Sequence, residues 1–250
     1  MLKTIVVINQ KGGVGKTTTT HNFGYGLLKK KKKVLLIDLD PQENLTFTVT
    51  GQVNFKESIF DVLVGDIDIN QAIHHIGKMD IIPSSQALSI ISKYLDEGEK
   101  ENTLKNRLKA LKENYDFIII DTPPALGNLT VNALTGSDET IITAQADIFS
   151  LQGIGQLAQS INAIKEYSNP KLEIKGILLT RYNKRSILTK DMTENIQEIA
   201  ENLGTKVFNA KIRECIAIKE SQAMNQDIFS YSPRSNGAKD YNDLVKEYLK

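Results

Sequence analysis

Lys11-Gly12-Gly13-Val14-Gly15-Lys16-Thr17-Thr18 follows the apolar run Ile5-Val6-Val7-Ile8 and leads directly into a helical pattern. A strand that ends in a glycine-rich turn and then a helix aims backbone N–H groups and a positive helix end at one point, which is a cradle for a polyphosphate. Gly12, Gly13 and Gly15 let the backbone approach a phosphate closely, and Val14 and Thr18 complete the turn. Lys16 is placed to reach the β- and γ-phosphate oxygens and Thr17 to ligate Mg²⁺.

The pattern departs from G-x-x-x-x-G-K-[ST] at Gln10, where glycine is expected, and it adds Lys11. K-G-G-V-G-K-T-T resembles the deviant Walker A motif of the ParA/MinD group of ATPases. The resemblance implies that Lys11 reaches across a dimer interface to the partner's nucleotide, with Gly12 where two subunits meet.

Two further strand ends carry acids. Val34-Leu35-Leu36-Ile37 reads as a central parallel strand and ends in Asp38-Leu39-Asp40-Pro41-Gln42, with Asp38 and Asp40 on one side by alternation. Phe117-Ile118-Ile119-Ile120 ends in Asp121-Thr122-Pro123-Pro124, a Walker B element whose carboxylate suits Mg²⁺ through its water shell. Both phrases are similar to the ParA switches: D-x-D-P-Q is switch I and D-T-P-P is switch II. By that resemblance Asp40 orients the attacking water, Asp38 lies near the Mg²⁺, and Asp121 holds it.

Repeated β–α alternation predicts an α/β fold with a doubly wound, mostly parallel sheet. A length of 250 residues, 40% hydrophobic and 24% charged, fits one globular domain over 1–250. The pattern predicts helices over Thr18–Lys33, Ser58–Val64, Asn70–Ile76, Ser85–Leu95, Asn102–Asn114, Leu151–Tyr167 and Lys190–Leu203. Met79–Pro83, Thr140–Ala144, Ile174–Thr180 and a short stretch at Val207 read as strands. Asp96, Glu97, Glu99 and Glu101 read as a solvated approach to a helix, and Tyr241, Leu244, Val245, Tyr248 and Leu249 as the core stripe of a last helix.

Composition excludes several functions. No apolar run reaches about 18 residues and none resembles a signal peptide, so an intracellular protein is expected. A single cysteine, Cys215, allows no internal disulfide, and His21, His74 and His75 are not spaced for a metal. The net charge is +1, with a local excess of three positive charges over residues 171–220. Lys29 to Lys33 has two readings, as cations that complement a helix C-terminus or as a nucleic-acid patch.

The resemblance to ParA spans nearly the whole chain and implies an ATPase of DNA partition, for a plasmid or a chromosome. Its cofactors would be ATP and Mg²⁺, and its partners a second copy as an ATP-bound homodimer, non-specific double-stranded DNA and a ParB-like centromere-binding protein that stimulates hydrolysis. A cytoplasmic protein, nucleoid-associated when ATP-bound and without membrane, is implied. Asn183 would seat the adenine and Arg185 would contact DNA. Near Ala217, chromosomal relatives carry a DNA-contacting arginine, for which Arg213 and Lys219 are the available substitutes. A helix-turn-helix before the cradle is not expected, since Lys11 stands so early in the sequence. The rival readings are a MinD-like positioning ATPase on a membrane, an iron-protein relative, for which the cysteines are lacking, and a tyrosine kinase sharing the cradle, for which the C-terminal tyrosine cluster is lacking.

Overall fold

The computed structural model describes residues 2–95 and 100–250. Seven strands form one sheet in the order β3-β4-β2-β5-β1-β6-β7. They are β1 (Lys3–Ile8), β2 (Val34–Asp38), β3 (His74–Ile76), β4 (Met79–Ile82), β5 (Phe117–Asp121), β6 (Glu139–Ala144) and β7 (Glu173–Leu179). All neighbours are parallel except β3, which pairs antiparallel with β4 at the edge.

Side-chain alternation explains why the central strands are apolar throughout. Val6, Ile8, Leu35, Ile37, Ile118 and Ile120 enter one layer, while Ile5, Val7, Val34, Leu36, Phe117 and Ile119 enter the other. The first layer is covered by α3 (Ile59–Val64), α4 (Thr103–Leu108), α5 (Asn128–Thr135), α6 (Ile148–Tyr167) and α7 (Ile187–Asn202). The second is covered by α1 (Lys16–Lys29), α2 (Asn44–Thr50), α8 (Ile216–Ala223), α9 (Ile228–Tyr231) and α10 (Asn236–Tyr248). The chain leaves β1 toward β2 on one side and leaves β5 toward β6 on the other. The carboxyl ends of β1, β2 and β5 thus meet at the reversal where such sheets bind ligands.

Helix α1 is wedged between the sheet and α10. A Cβ on Gly24 would stand 2.9 Å from Leu36, and one on Gly26 would stand 2.7 Å from Val245, so the absent side chains set the closeness of both contacts. Tyr241, Leu244, Val245 and Tyr248 of α10 are buried against it as expected, whereas Leu249 is half out in solvent. His21 lies fully buried on α1 with Tyr25 edge-on at 5.0 Å, and burial pushes its pKa down to about 4, so it is a neutral core residue.

Several boundaries differ from expectation for tertiary reasons. The helix expected over Asn70–Ile76 is instead a 3-10 turn at Ile69–Ala72 followed by strand β3, because an antiparallel partner is available across the turn at Gly77. Ser85–Leu95 forms a 3-10 helix over Gln86–Lys93. Asn102–Asn114 shortens to α4 because its tail is captured by Asn70: the side-chain Nδ2 donates to the Ala110 carbonyl and Oδ1 accepts from Lys112 N. Val207 makes only an isolated bridge to Ile177. Helices α6 and α7 begin three residues early, capped by Asp147 and Ser186. Asp96, Glu97 and Glu99 lie outside the described residues, and Glu101 accepts a hydrogen bond from Ser168.

The end of α1 is a Schellman turn: Lys31 N donates to the Leu28 carbonyl and Lys32 N to the Leu27 carbonyl. Lys31 occupies the left-handed position of that turn, at φ 61°, which glycine takes without strain. Replacing Lys31 with glycine is expected to raise stability by about 0.5–1 kcal/mol in urea unfolding, since relief of the Cβ strain exceeds the added chain entropy.

Candidate active site

A cavity of about 600 Å³ opens over the carboxyl ends of β1 and β2 and over the start of α1. Its floor is the predicted turn. Gly13 and Gly15 have φ of 72° and 84°, and Gly15 is the cap of α1 without any side-chain hydrogen bond to the helix end. The first N–H groups of α1 therefore face the cavity unassisted by a side chain, the arrangement that anions complete. A Cβ on Gly12 or Gly13 would meet nothing within 4 Å, so both residues border open space.

Neighbouring strand ends hold the turn in shape. Asn9 accepts from Lys11 N at 2.8 Å and donates to the Thr143 carbonyl at the end of β6. Gln145 donates to the Gly13 carbonyl, and Thr180, just past β7, donates to the Val14 carbonyl at 2.9 Å. Val14 is buried, which anchors the loop from below.

Acids gather on the opposite wall. Thr17 Oγ1 donates to Asp121 Oδ2 at 2.6 Å, so the hydroxyl and carboxylate expected to share a cation are already adjacent. Burial and the charge of Asp38 raise the Asp121 pKa well above the ordinary carboxylate range. Lys16 Nζ donates to the Lys11 carbonyl at 3.3 Å, and its pKa is lowered by burial against the opposing pull of Asp121 and Asp40. Asp40 lines the cavity, with Oδ1 accepting from Gln42 N and its carbonyl accepting from Ser84 Oγ.

Asp38 lies across the β2–β5 register from Asp121, with its oxygens turned to the backbone. It is fully buried, with Oδ1 accepting from Asp40 N and Oδ2 accepting from both Thr46 N and Thr46 Oγ1 at 2.8 Å. Both oxygens are therefore occupied in shaping the turn that carries Asp40, and burial lifts its pKa to about 7.

Mg²⁺ fits this wall. Asp121 and Asp40 act on Lys16, and Asp38 lies beside Asp121, so a divalent ion would relieve the excess negative charge. Among the described residues no cluster of three or more acidic, histidine or cysteine side chains forms a cage. One hydroxyl and one carboxylate suit an ion that keeps its waters and binds mainly through phosphates.

Lys11 points away from this wall. Its Nζ is 2.9 Å from Asp147 Oδ2 and 5.6 Å from the Phe149 ring centroid. Burial opposes ionisation of Asp147, yet the bonds from Lys11 and from Ser150 N hold its pKa below the ordinary value. Both side chains are about a third exposed (36% and 28%), and such pairs contribute at most about 1 kcal/mol, so Lys11 can be exchanged to another anion at little cost.

The far end of the cavity is lined by Arg181, Ile212, Arg213, Cys215 and Ile218. Asn183 is not among the lining residues; its Oδ1 accepts from Arg185 N, turning the carboxamide into its own loop. Arg181 stands at φ 47° at the cavity rim, a strained conformation of the kind that collects at binding sites. Arg213 is clamped by Asp240, with Nη2 2.6 Å from Oδ1 and its own N–H 2.9 Å from Oδ2, so its guanidinium is committed to that carboxylate at the cavity wall even though the side chain is 35% exposed. Lys219 is exposed and 3.7 Å from Glu214, while the Arg185 side chain is exposed with no charged partner among the described residues. Sequence reasoning passed over Asp147, Thr180, Arg181 and Asp240; only the N-cap signal of Asp147 before an apolar helix was readable in advance.

The family described as an AAA domain matches residues 2–174. The chain is 38% identical to the sporulation initiation inhibitor protein Soj of Bacillus subtilis, covering 99% of this chain and 98% of that one. The chain belongs to the Soj/ParA family of P-loop ATPases. The chromosome partitioning protein ParA of Caulobacter vibrioides is 32% identical, covering 99% of this chain and 94% of its own. Among solved structures, cobyrinic acid a,c-diamide synthase of Mycobacterium smegmatis with bound ATP analog and magnesium superposes with a TM-score of 0.87 at 31% identity, over 100% of this chain and 94% of that one.

The buried acids make this ParA-type site pH-sensitive in the nucleotide-free protein. The folded-state pKa of Asp38, about 7, lies above its unfolded value, so the folded state binds more protons between about pH 4 and pH 7. Stability from this group is greatest at the low end of that window and is lost as pH rises through it. The melting temperature of the nucleotide-free protein should therefore fall from pH 5 to pH 8, and Asp38→Asn should flatten that fall.

Proposed function

We propose that the protein is a partition ATPase working as an ATP-bound homodimer on DNA. The observation that carries the reading is Lys11, which follows the strand end and borders the cradle, and whose ammonium is paired only with Asp147, both side chains about a third exposed. When bound, ATP with Mg²⁺ supplies a terminal phosphoryl group whose charge is neutralised as it transfers to water. Lys16 and the α1 N–H groups hold the phosphates. Thr17 and Asp121 carry the ion's protein side. Asp40, on a turn braced by Asp38, Thr46 and Ser84, orients the attacking water.

Lys11 exchanges Asp147 for the phosphates of the facing subunit, adding a positive charge in trans as an arginine finger does. Exposed apolar side chains at the same rim, Ile148 and Phe149, provide surface for the facing copy. Pairing joins two modest basic surfaces on one duplex, which supplies avidity without new contacts, and Arg185 belongs to such a surface. A ParB-like partner stimulates hydrolysis and frees the dimer from DNA, for a plasmid or a chromosome. Membrane spanning is not supported, since no described helix is long and apolar enough to cross a bilayer.

The test is molar mass and duplex retention with ADP, ATP and a slowly hydrolysed analogue. Lys16→Ala should weaken nucleotide binding by about 100-fold or more, as expected for a buried charge-assisted contact. Lys11→Ala should bind nucleotide within a few-fold of the parent but stay monomeric with ATP. A dimer of that variant in ATP would refute the trans role. Asp40→Ala should accumulate an ATP-bound dimer whose hydrolysis is slowed about 100-fold, in the range for loss of a water-positioning group. If anionic vesicles with ATP capture the protein and duplex does not, the membrane-positioning reading replaces this one.

A further inference from the structure

Thr17, Thr18, Thr19 and Thr20 are consecutive threonines at the start of α1, each turned about 100° from the last around the helix. Three of them commit their hydroxyls to the protein. Thr17 donates to Asp121, Thr20 donates to the Lys16 carbonyl and to Asp121, and Thr19 stands 3.3 Å from the Tyr241 hydroxyl of α10. Thr18 differs. Its Oγ1 accepts from Gln222 Nε2 at 3.1 Å, and among the described residues nothing accepts its own proton.

Thr18 and Gln222 both line the nucleotide cavity. A hydroxyl carries one proton and two lone pairs, and a side-chain amide carries both donors and an acceptor. Because the amide nitrogen faces Thr18, one lone pair of the hydroxyl is occupied and its proton is left for another acceptor. An apolar side chain would serve to pack α8 on α1. An amide at a hydroxyl that borders an anion cradle also sets which way a proton points.

Both partners are held firmly. The Thr18 carbonyl accepts from Asn22 Nδ2 at 2.9 Å, while Asn22 Oδ1 accepts from Ile228 N at the start of α9. Gln222 lies near the end of α8, beside the buried Ile218 and Ser221. The turn after it is closed by bonds from Asn225 N to the Gln222 carbonyl and from Gln226 N to the Ser221 carbonyl. Asn225 stands in the left-handed conformation at φ 52°, and its Nδ2 donates to the Phe47 carbonyl of α2 at 2.6 Å. The end of α8 is therefore pinned to α2 as well as to α1, and the amide reaches Thr18 from a fixed backbone.

We propose that Gln222 is a positioning residue for the nucleotide: by donating to Thr18 it leaves the Thr18 hydroxyl proton for a phosphate oxygen of the bound nucleotide. Gln222 acts through Thr18 and makes no contact of its own with the phosphate. The proposal requires a nucleotide on the cradle and neither a dimer nor DNA, so ADP tests it apart from the partition reading.

Calorimetry of the full chain with Mg²⁺ and ADP measures the affinity, and melting without nucleotide measures the stability. Gln222→Met keeps the length of the side chain and removes both polar atoms. It should bind ADP about threefold to tenfold more weakly, the worth of one hydrogen bond, and melt within about 2 °C of the parent. Gln222→Glu sets an acceptor-only carboxylate against Thr18, which takes the proton from the phosphate and adds a like charge. Its affinity should fall about 30-fold or more. Thr18→Val should lose at least as much as Gln222→Met, and Thr18→Val/Gln222→Met should bind no more weakly than Thr18→Val alone. Losses that multiply in the double variant would overturn the proposal, since Gln222 would then act independently of Thr18. Gln222→Glu binding as tightly as Gln222→Met would overturn it too, because the direction of the hydrogen bond would be immaterial.

Discussion

The unsatisfied N–H groups at the start of α1 are the constraint on which the molecule is built. A helix that begins in a left-handed glycine, without a side-chain cap, leaves donors facing the cavity, and only an anion completes them. Everything around that point either holds the turn or balances its charge. Asn9, Gln145 and Thr180 brace the backbone from the ends of β1, β6 and β7. Lys16 adds positive charge on the phosphate side, and Asp40 and Asp121 set acids against it. Burial first, and the neighbouring carboxylates second, raise the pKa values of Asp38 and Asp121, and the excess of acids on that wall suits magnesium.

Helix α1 also transmits the site's position to the rest of the fold. Gly24 and Gly26 draw it against the sheet and α10, so the cradle is set by core packing over the helix's length. The same helix ends in the lysine turn, which places a cation cluster at a fixed distance from the phosphate groups. Two charge systems of opposite sign thus sit at the ends of one rigid element. One is buried with acids in excess, and the other is exposed and wholly cationic.

Weak interactions are informative at the rim. The Lys11–Asp147 pair is about a third exposed, and its small stabilisation suits a residue that must change partners. The Arg213–Asp240 clamp is its opposite: several hydrogen bonds to a buried carboxylate fix the guanidinium in the cavity wall. Residue type alone made both cations candidates for reaching outward, and the geometry of their acids separates them.

How much was legible follows from the range of the interactions involved. The parallel sheet, the phosphate turn and the acids at the ends of β2 and β5 rest on local periodicity and on the conformational demands of glycine, and these are written in contiguous residues. The short α4 escaped because Asn70, some forty residues away, captures its tail, and the edge hairpin at β3 because pairing with β4 across the Gly77 turn overrode the helical pattern. Asp38 shows the same division within one motif. Its alternation with Asp40 was readable from the chain, but Thr46, eight residues on, captured its oxygens. By itself the sequence determined the fold class and the phosphate-binding chemistry, because both depend on short-range pattern. Only the tertiary structure decided which charges face the cavity, which face each other and which face solvent, because a charge's partner is set by packing between elements far apart in the chain.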